Sequence, residues 1–135
     1  TNANGKQTVG MEFHLHKTDS IGTYKYTIVY IMDGKRQERL YNLIEKDREN
    51  GEYVVDENNG IFLDAKVHEN TLYSIFEVQK NLITTTERFY KDSMDFVITF
   101  SNTGNKKISE TEGNQPIEVF SYPVNGVQIA RLIKQ

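Results

Sequence analysis

Three consecutive stretches in the middle of the chain alternate apolar and polar residues: 71–79 (TLYSIFEVQ), 82–90 (LITTTERFY) and 93–101 (SMDFVITFS). Only Lys80 with Asn81, and Lys91 with Asp92, separate them. A period of two broken by two-residue gaps predicts antiparallel hairpins rather than helices. The rhythm recurs upstream. Over residues 9–16, Val9, Met11, Phe13 and Leu15 share one face, opposite Gly10, Glu12, His14 and His16. This predicts a strand buried on one side. Residues 22–32 (GTYKYTIVYIM) place Tyr24, Tyr26, Ile28, Tyr30 and Met32 together, opposite Thr23, Lys25, Thr27, Val29 and Ile31.

Asp33-Gly34 is a hairpin dipeptide, because both central residues of a type I′ turn need positive φ. Asn125-Gly126 carries the same signal. The segment 36–49 reads two ways. Leu40, Leu43 and Ile44 match helical spacing, with Gly51 beyond as a cap. The same residues also fit a strand, and the preceding Asp33-Gly34 turn favours that reading. Residues 52–55 and 61–67 predict two further strands around the turn DENNG (56–60). Residues 102–115 form the longest polar stretch, expected as a loop or hairpin tip. Residues 116–122 and 125–134 close the chain, and Val127, Ile129, Arg131 and Ile133 share a face. The fold class is therefore all-β: an antiparallel up-and-down meander closed into a barrel of eight to ten strands. Closure removes the exposed edges that such a meander would leave.

The carrying segments 56–65 (DENNGIFLDA), 70–79, 82–100 and 119–124 (VFSYPV) resemble the calycin superfamily, and within it small lipocalin-like domains of bacterial exported proteins. The Gly-x-Trp opening usual in lipocalins is absent, since the chain has no Trp. A ten-stranded relative similar to the fatty-acid-binding proteins is the alternative, although residues 18–22 leave no room for its two lid helices. The resemblance implies a barrel with a pocket at one end for a small apolar or amphipathic molecule. Barrels of about eight to ten strands are wide enough for one small ligand. They can equally be filled by side chains.

With 135 residues the chain suits one domain, assigned to 8–135 behind a flexible segment 1–7. Its formal charge of −3 argues against phosphate-backbone binding, so no nucleic-acid partner is expected. Without cysteine there is no disulfide, thiol chemistry or zinc–thiolate site. No apolar run approaches the ~20 residues of a spanning helix. The opening TNANGKQ is polar and lacks the plan of a signal peptide, which reads as the mature start of an exported protein or a trimmed chain. A monomer is expected.

The candidate ligand-binding residues are Tyr24, Tyr26, Tyr30, Thr86, Arg88 and Tyr90. Leu82, Thr84, Thr86, Arg88 and Tyr90 point one way; Ile83, Thr85, Glu87 and Phe89 oppose them. If the first set faces inward, Arg88 is buried and requires an anion, for which a ligand carboxylate is a bidentate partner. If it faces outward, Arg88 is solvated. The tyrosine stripe suits a cavity wall or an outer face with cross-strand packing. Arg131, among apolar neighbours, would close one barrel end by pairing with backbone carbonyls.

His14 and His16 could place two imidazoles on one metal, but no third ligand is apparent, so they read as an exposed polar face. The 56–60 segment has calcium-loop residue types without the spacing of that motif and reads as a turn. No Gly-x-Ser-x-Gly elbow or glycine-rich phosphate loop occurs. The function read from the sequence is non-enzymatic, cofactor-free binding of a small apolar molecule by a carrier or sensor. The alternative is a protein-interaction module with a filled core, using the 102–115 loop or the tyrosine stripe.

Overall fold

A computed structural model describes residues 9–135; the segment 1–7, expected to be flexible, and residue 8 lie outside the described residues. Eleven strands follow in order: β1 (Gly10–Lys17), β2 (Thr23–Met32), β3 (Lys35–Asp47), β4 (Glu52–Asp56), β5 (Phe62–His68), β6 (Thr71–Val78), β7 (Asn81–Phe89), β8 (Ser93–Asn102), β9 (Lys107–Glu110), β10 (Glu118–Ser121) and β11 (Gly126–Ile133). One 3-10 turn, Thr103–Asn105, follows β8. Nine strands form one antiparallel sheet in the order β1 to β8 and then β11. The sheet curls until β1 and β11 approach without hydrogen-bonded pairing, which leaves a nearly closed barrel. The polar stretch after β8 contributes β9, which pairs only with β10 in a separate ribbon. All residues of that ribbon's strands are exposed.

The ambiguous segment 36–49 is strand, as the Asp33-Gly34 turn favoured. Asp33 (φ 52°) and Gly34 (φ 75°) make the left-handed pair that matches the twist of β2 and β3. Two other connections use the same geometry, at Glu69-Asn70 and at Gln79-Lys80. The second lies one residue upstream of the gap expected at Lys80-Asn81, because Asn81 pairs with Val78 and opens β7. Asn125-Gly126 is not a hairpin turn. Asn125 donates its N–H to the Phe100 carbonyl at 2.7 Å, and Gly126 starts β11 already in register with Phe100. The chain arrives there from the β9–β10 ribbon rather than reversing.

Gly51 has a backbone reason to be glycine. It adopts φ 70°, and a Cβ would lie 2.2 Å from the Val67 carbonyl oxygen. Its own carbonyl accepts from the Val67 N–H at 2.8 Å, tying the β3–β4 turn to β5.

Ladder register decides which faces point inward. Met11, Phe13, Tyr24, Tyr26, Ile28, Tyr30, Leu43, Val55, Ala65, Leu72, Met94, Phe96 and Ile98 pack into one interior cluster. The middle of the barrel is thus filled by side chains. The wall is uneven: β5 and β6 pair only from Lys66↔Tyr73 to His68↔Thr71. Beyond that point the two strands splay. No helix of the described residues is long and apolar enough to cross a membrane.

Candidate functional site

A cavity of about 280 Å³ lies at the end of the barrel that carries the β1–β2, β3–β4, β5–β6 and β7–β8 connections. β1 lends it Phe13 and Leu15, β2 lends Tyr24 and Tyr26, and β3 and β4 lend Leu43 and Tyr53. Val67, Leu72 and Phe89 come from β5, β6 and β7. Alternation explains the set: each is an inward position towards that end of its strand, and Tyr26, Leu43 and Leu72 are core residues as well. Leu15, 41% exposed, stands at the rim. The aromatic rings are mutually ordered. Phe13 meets Tyr26 edge-on with centroids 4.9 Å apart and Phe89 at 5.8 Å. Tyr41 stacks on the other side of Tyr26 at 6.0 Å.

Behind this apolar wall is one ionisable group. Glu87 points inward because its ladder partners are Leu72 on β6 and Phe96 on β8, both core residues. It is 1% exposed. The Tyr26 hydroxyl reaches across the interior and donates to its Oε1. Its Oε2 has no hydrogen-bond partner. Burial pushes the carboxyl up to about 8, so at neutral pH it carries a proton.

The six sequence-derived candidates divide. Tyr24 and Tyr26 line the cavity. Tyr30 shares their inward face but lies further along β2, with the Arg39 guanidinium 5.2 Å from its ring centre. Thr86, Arg88 and Tyr90 are on the outer face, which removes the expected interior anion anchor. With Glu87 inward, strand alternation turns Arg88 out, and it is exposed. Thr86 is half-buried between outward Tyr73 and Val97 in the ladder. Tyr90 is exposed, and its ring lies 5.8 Å from the guanidinium carbons of both Arg88 and Arg131.

Arg131 likewise does not close the barrel end. Its strand enters with Ala130 opposite Phe96, so Val127, Ile129, Arg131 and Ile133 face out. Arg131 donates from Nε and Nη2 to the Asp95 carboxylate at 2.7 and 2.8 Å. That bond, first, and the charge behind it hold Asp95 below the usual carboxylate range.

Other polar clusters are also external. Glu12 accepts from Arg36 and lies 3.1 Å from the His14 ring nitrogen, and these contacts, Arg36 first, lower its carboxyl to about 2. The His14 and His16 rings stack at 6.1 Å. Among the described residues, no three His, Asp or Glu side chains converge as a metal site. The 56–60 segment is a turn held by side-chain bonds: Asp56 accepts from the Asn58 N–H at 2.8 Å and Asn59 from the Ile61 N–H at 3.1 Å.

Glu87 is the residue that sequence reasoning missed. Its signal was present, since it alternates with Ile83 and Phe89. However, Arg88 alternates just as regularly with Leu82 and Tyr90.

No protein-family model, curated protein or solved structure matches this chain.

Proposed function

We propose that this protein binds a small apolar or amphipathic molecule without transforming it, in the end cavity of a calycin-like barrel, as a carrier or sensor. The observation that carries this reading is the cavity itself: about 280 Å³, walled by aromatic and aliphatic side chains from seven different strands. That is just below the usual ligand-site sizes of roughly 300 to 1,000 Å³ and suits a small molecule. Apolar walls with a few polar groups, here the tyrosines Tyr24, Tyr26 and Tyr53, match the usual composition of such sites.

The test uses the absence of tryptophan. Leu15→Trp puts a single indole at the rim, where an exposed side chain tolerates change. Titration with short alkyl probes of six carbons should shift its emission saturably. Native mass spectrometry of the unaltered protein should show an added mass that leaves on denaturation or on organic extraction. A flat titration with every probe, together with a clean apo mass, removes this reading.

A second reading, a protein-interaction module, is favoured by the splayed wall. From Phe62 to Ala65, β5 pairs with β4 on one edge only, and β6 beyond Tyr73 pairs only with β7. A groove lined by Val54, Asp64, Lys66, Tyr73 and Ile75 lies there, beside exposed Phe62. Unpaired strand edges take an added strand, with alternate side chains giving selectivity. Extended hexapeptides with apolar residues at alternate positions should move the backbone amide resonances of 62–66 and 73–78. If no peptide moves them, this second reading is lost.

A further inference from the structure

We infer that the cavity selects a small organic ammonium, whose charged head seats against the free carboxylate oxygen of Glu87 while its alkyl body lies among the aromatic rings. This inference rests on the cavity-binding reading above and adds the ligand's charge.

The cavity lining holds no Lys, Arg or His. An anionic ligand would meet ring faces, which repel it, and aliphatic side chains, with no cation to offset its charge. The basic residue that could have recognised a carboxylate, Arg88, is on the outside. The lining therefore offers an anion no compensating charge.

Glu87 then separates cationic from neutral ligands. It is 1% exposed, Tyr26 occupies Oε1, and Oε2 is unpartnered. Buried polar groups without partners are uncommon in folded proteins and each calls for a reason. Tyr26, its one partner, and Leu72, its ladder neighbour, both line the cavity, so the carboxyl adjoins two lining residues without lining the cavity itself. Five of the nine lining residues are aromatic: Phe13, Tyr24, Tyr26, Tyr53 and Phe89. Ring faces within about 6 Å of an ammonium attract it, more strongly where water is excluded. A carboxylate backed by aromatic rings serves an ammonium on both counts. For a neutral alcohol the rings add only apolar area. At about 30 Å³ per water-sized group, the volume holds on the order of nine non-hydrogen atoms, so the ligand is a short alkyl or aryl amine.

Binding exchanges one proton. The free site is a neutral carboxylic acid at pH 7, the incoming ligand is R–NH₃⁺, and the complex is an ammonium–carboxylate pair with one proton released to solvent. The groups facing Glu87 leave this exchange to Glu87 alone. They are Tyr26 on β2, Leu72 on β6 and Phe96 on β8, and beyond them lie Phe13 and Tyr41 on the Tyr26 ring and Ala130 opposite Phe96. Glu45 of β3 and Arg48 act at the rim on Tyr53, not on Glu87.

The experiment is calorimetric titration of the full chain with n-hexylamine, 1-hexanol and hexanoate between pH 6 and 7.5, each in two buffers of different ionisation enthalpy. Hexylamine is ammonium throughout that range. Its affinity should rise about tenfold per pH unit with close to one proton released. Hexanol should bind more weakly with no pH dependence, and hexanoate should not bind. E87Q should lower hexylamine affinity at least tenfold and abolish proton release. Y26F keeps the carboxyl, so it should retain proton release and serves if E87Q fails to fold. Hexanol binding as tightly as hexylamine, or hexylamine binding without proton release, overturns the ammonium assignment and leaves the cavity reading standing. Failure of all three probes overturns both.

Discussion

The Tyr26 hydroxyl donates to Oε1 of Glu87 across the barrel interior, joining residues 61 positions apart in sequence. β2 and β7 are not neighbours in the sheet, so the bond pins two walls that no ladder connects. It satisfies one oxygen of a buried carboxyl and leaves the other without a partner.

Glu87 makes stability depend on pH with a definite sign. Its folded pKa, about 8, lies above the unfolded value of 4.5, so the folded state holds the extra proton between those values. Stability is therefore undiminished below pH 4.5, falls as pH rises, and reaches its full loss above pH 8. Glu87→Gln removes the titration. Denaturant unfolding at pH 5 and pH 8.5 should show the native protein losing on the order of a few kcal/mol more than the variant over that interval. Parallel curves for the two proteins would show that Glu87 is not buried as described.

Tyr26→Phe keeps the ring packing against Phe13 and Tyr41 and removes only the donor. Both carboxyl oxygens are then unpaired. The fold should persist with stability reduced by about 1–3 kcal/mol, the range for an orphaned buried polar group. Urea unfolding gives this directly. Glu87 should also titrate higher in the variant, visible in the carboxyl-carbon resonance as pH is raised.

Gly51→Ala meets two obstacles at once, a φ of 70° and a Cβ 2.2 Å from the Val67 carbonyl oxygen. Backbone cannot yield as a flexible side chain can. A loss of roughly 2–4 kcal/mol is expected, at the upper end of the usual range for single substitutions or beyond it. Gly34→Ala has equally positive φ but nothing within 4 Å, so it should cost less. The melting temperatures of the two variants should rank in that order.

Arg88→Leu tests the placement of the outer face. An exposed side chain away from core and caps changes stability by about 0.5 kcal/mol or less. The variant should melt with the parent protein and bind any cavity ligand with unchanged affinity. A clear loss of binding would place Arg88 in the site after all.

Sequence alone determined the strands, because period-two alternation and left-handed turn dipeptides are local properties. Asp33-Gly34 favoured strand for 36–49 against its helical spacing, and the ladder with β2 decided it. The single meander followed from short connections that leave each strand beside the last. The face that each strand buries was a different matter. In β7 the two faces are matched: Leu82 and Tyr90 with Arg88, against Ile83 and Phe89 with Glu87. One charged residue had to go inside, and nothing local ranked them. The register to Leu72 and Phe96 chose Glu87.

In β11 the local pattern misleads. Its more apolar face, Val127, Ile129 and Ile133, is outside, while Gln128, Ala130 and Leu132 point in. The chain reaches β11 only after the β9–β10 ribbon, so no tight turn transmits phase from β8, and pairing with β8 sets it instead. A strand has two faces and sequence fixes their membership; which one meets the core is a property of its neighbours. The cavity and the Tyr26–Glu87 pair depend on that choice in several strands at once, and so belong to the tertiary structure.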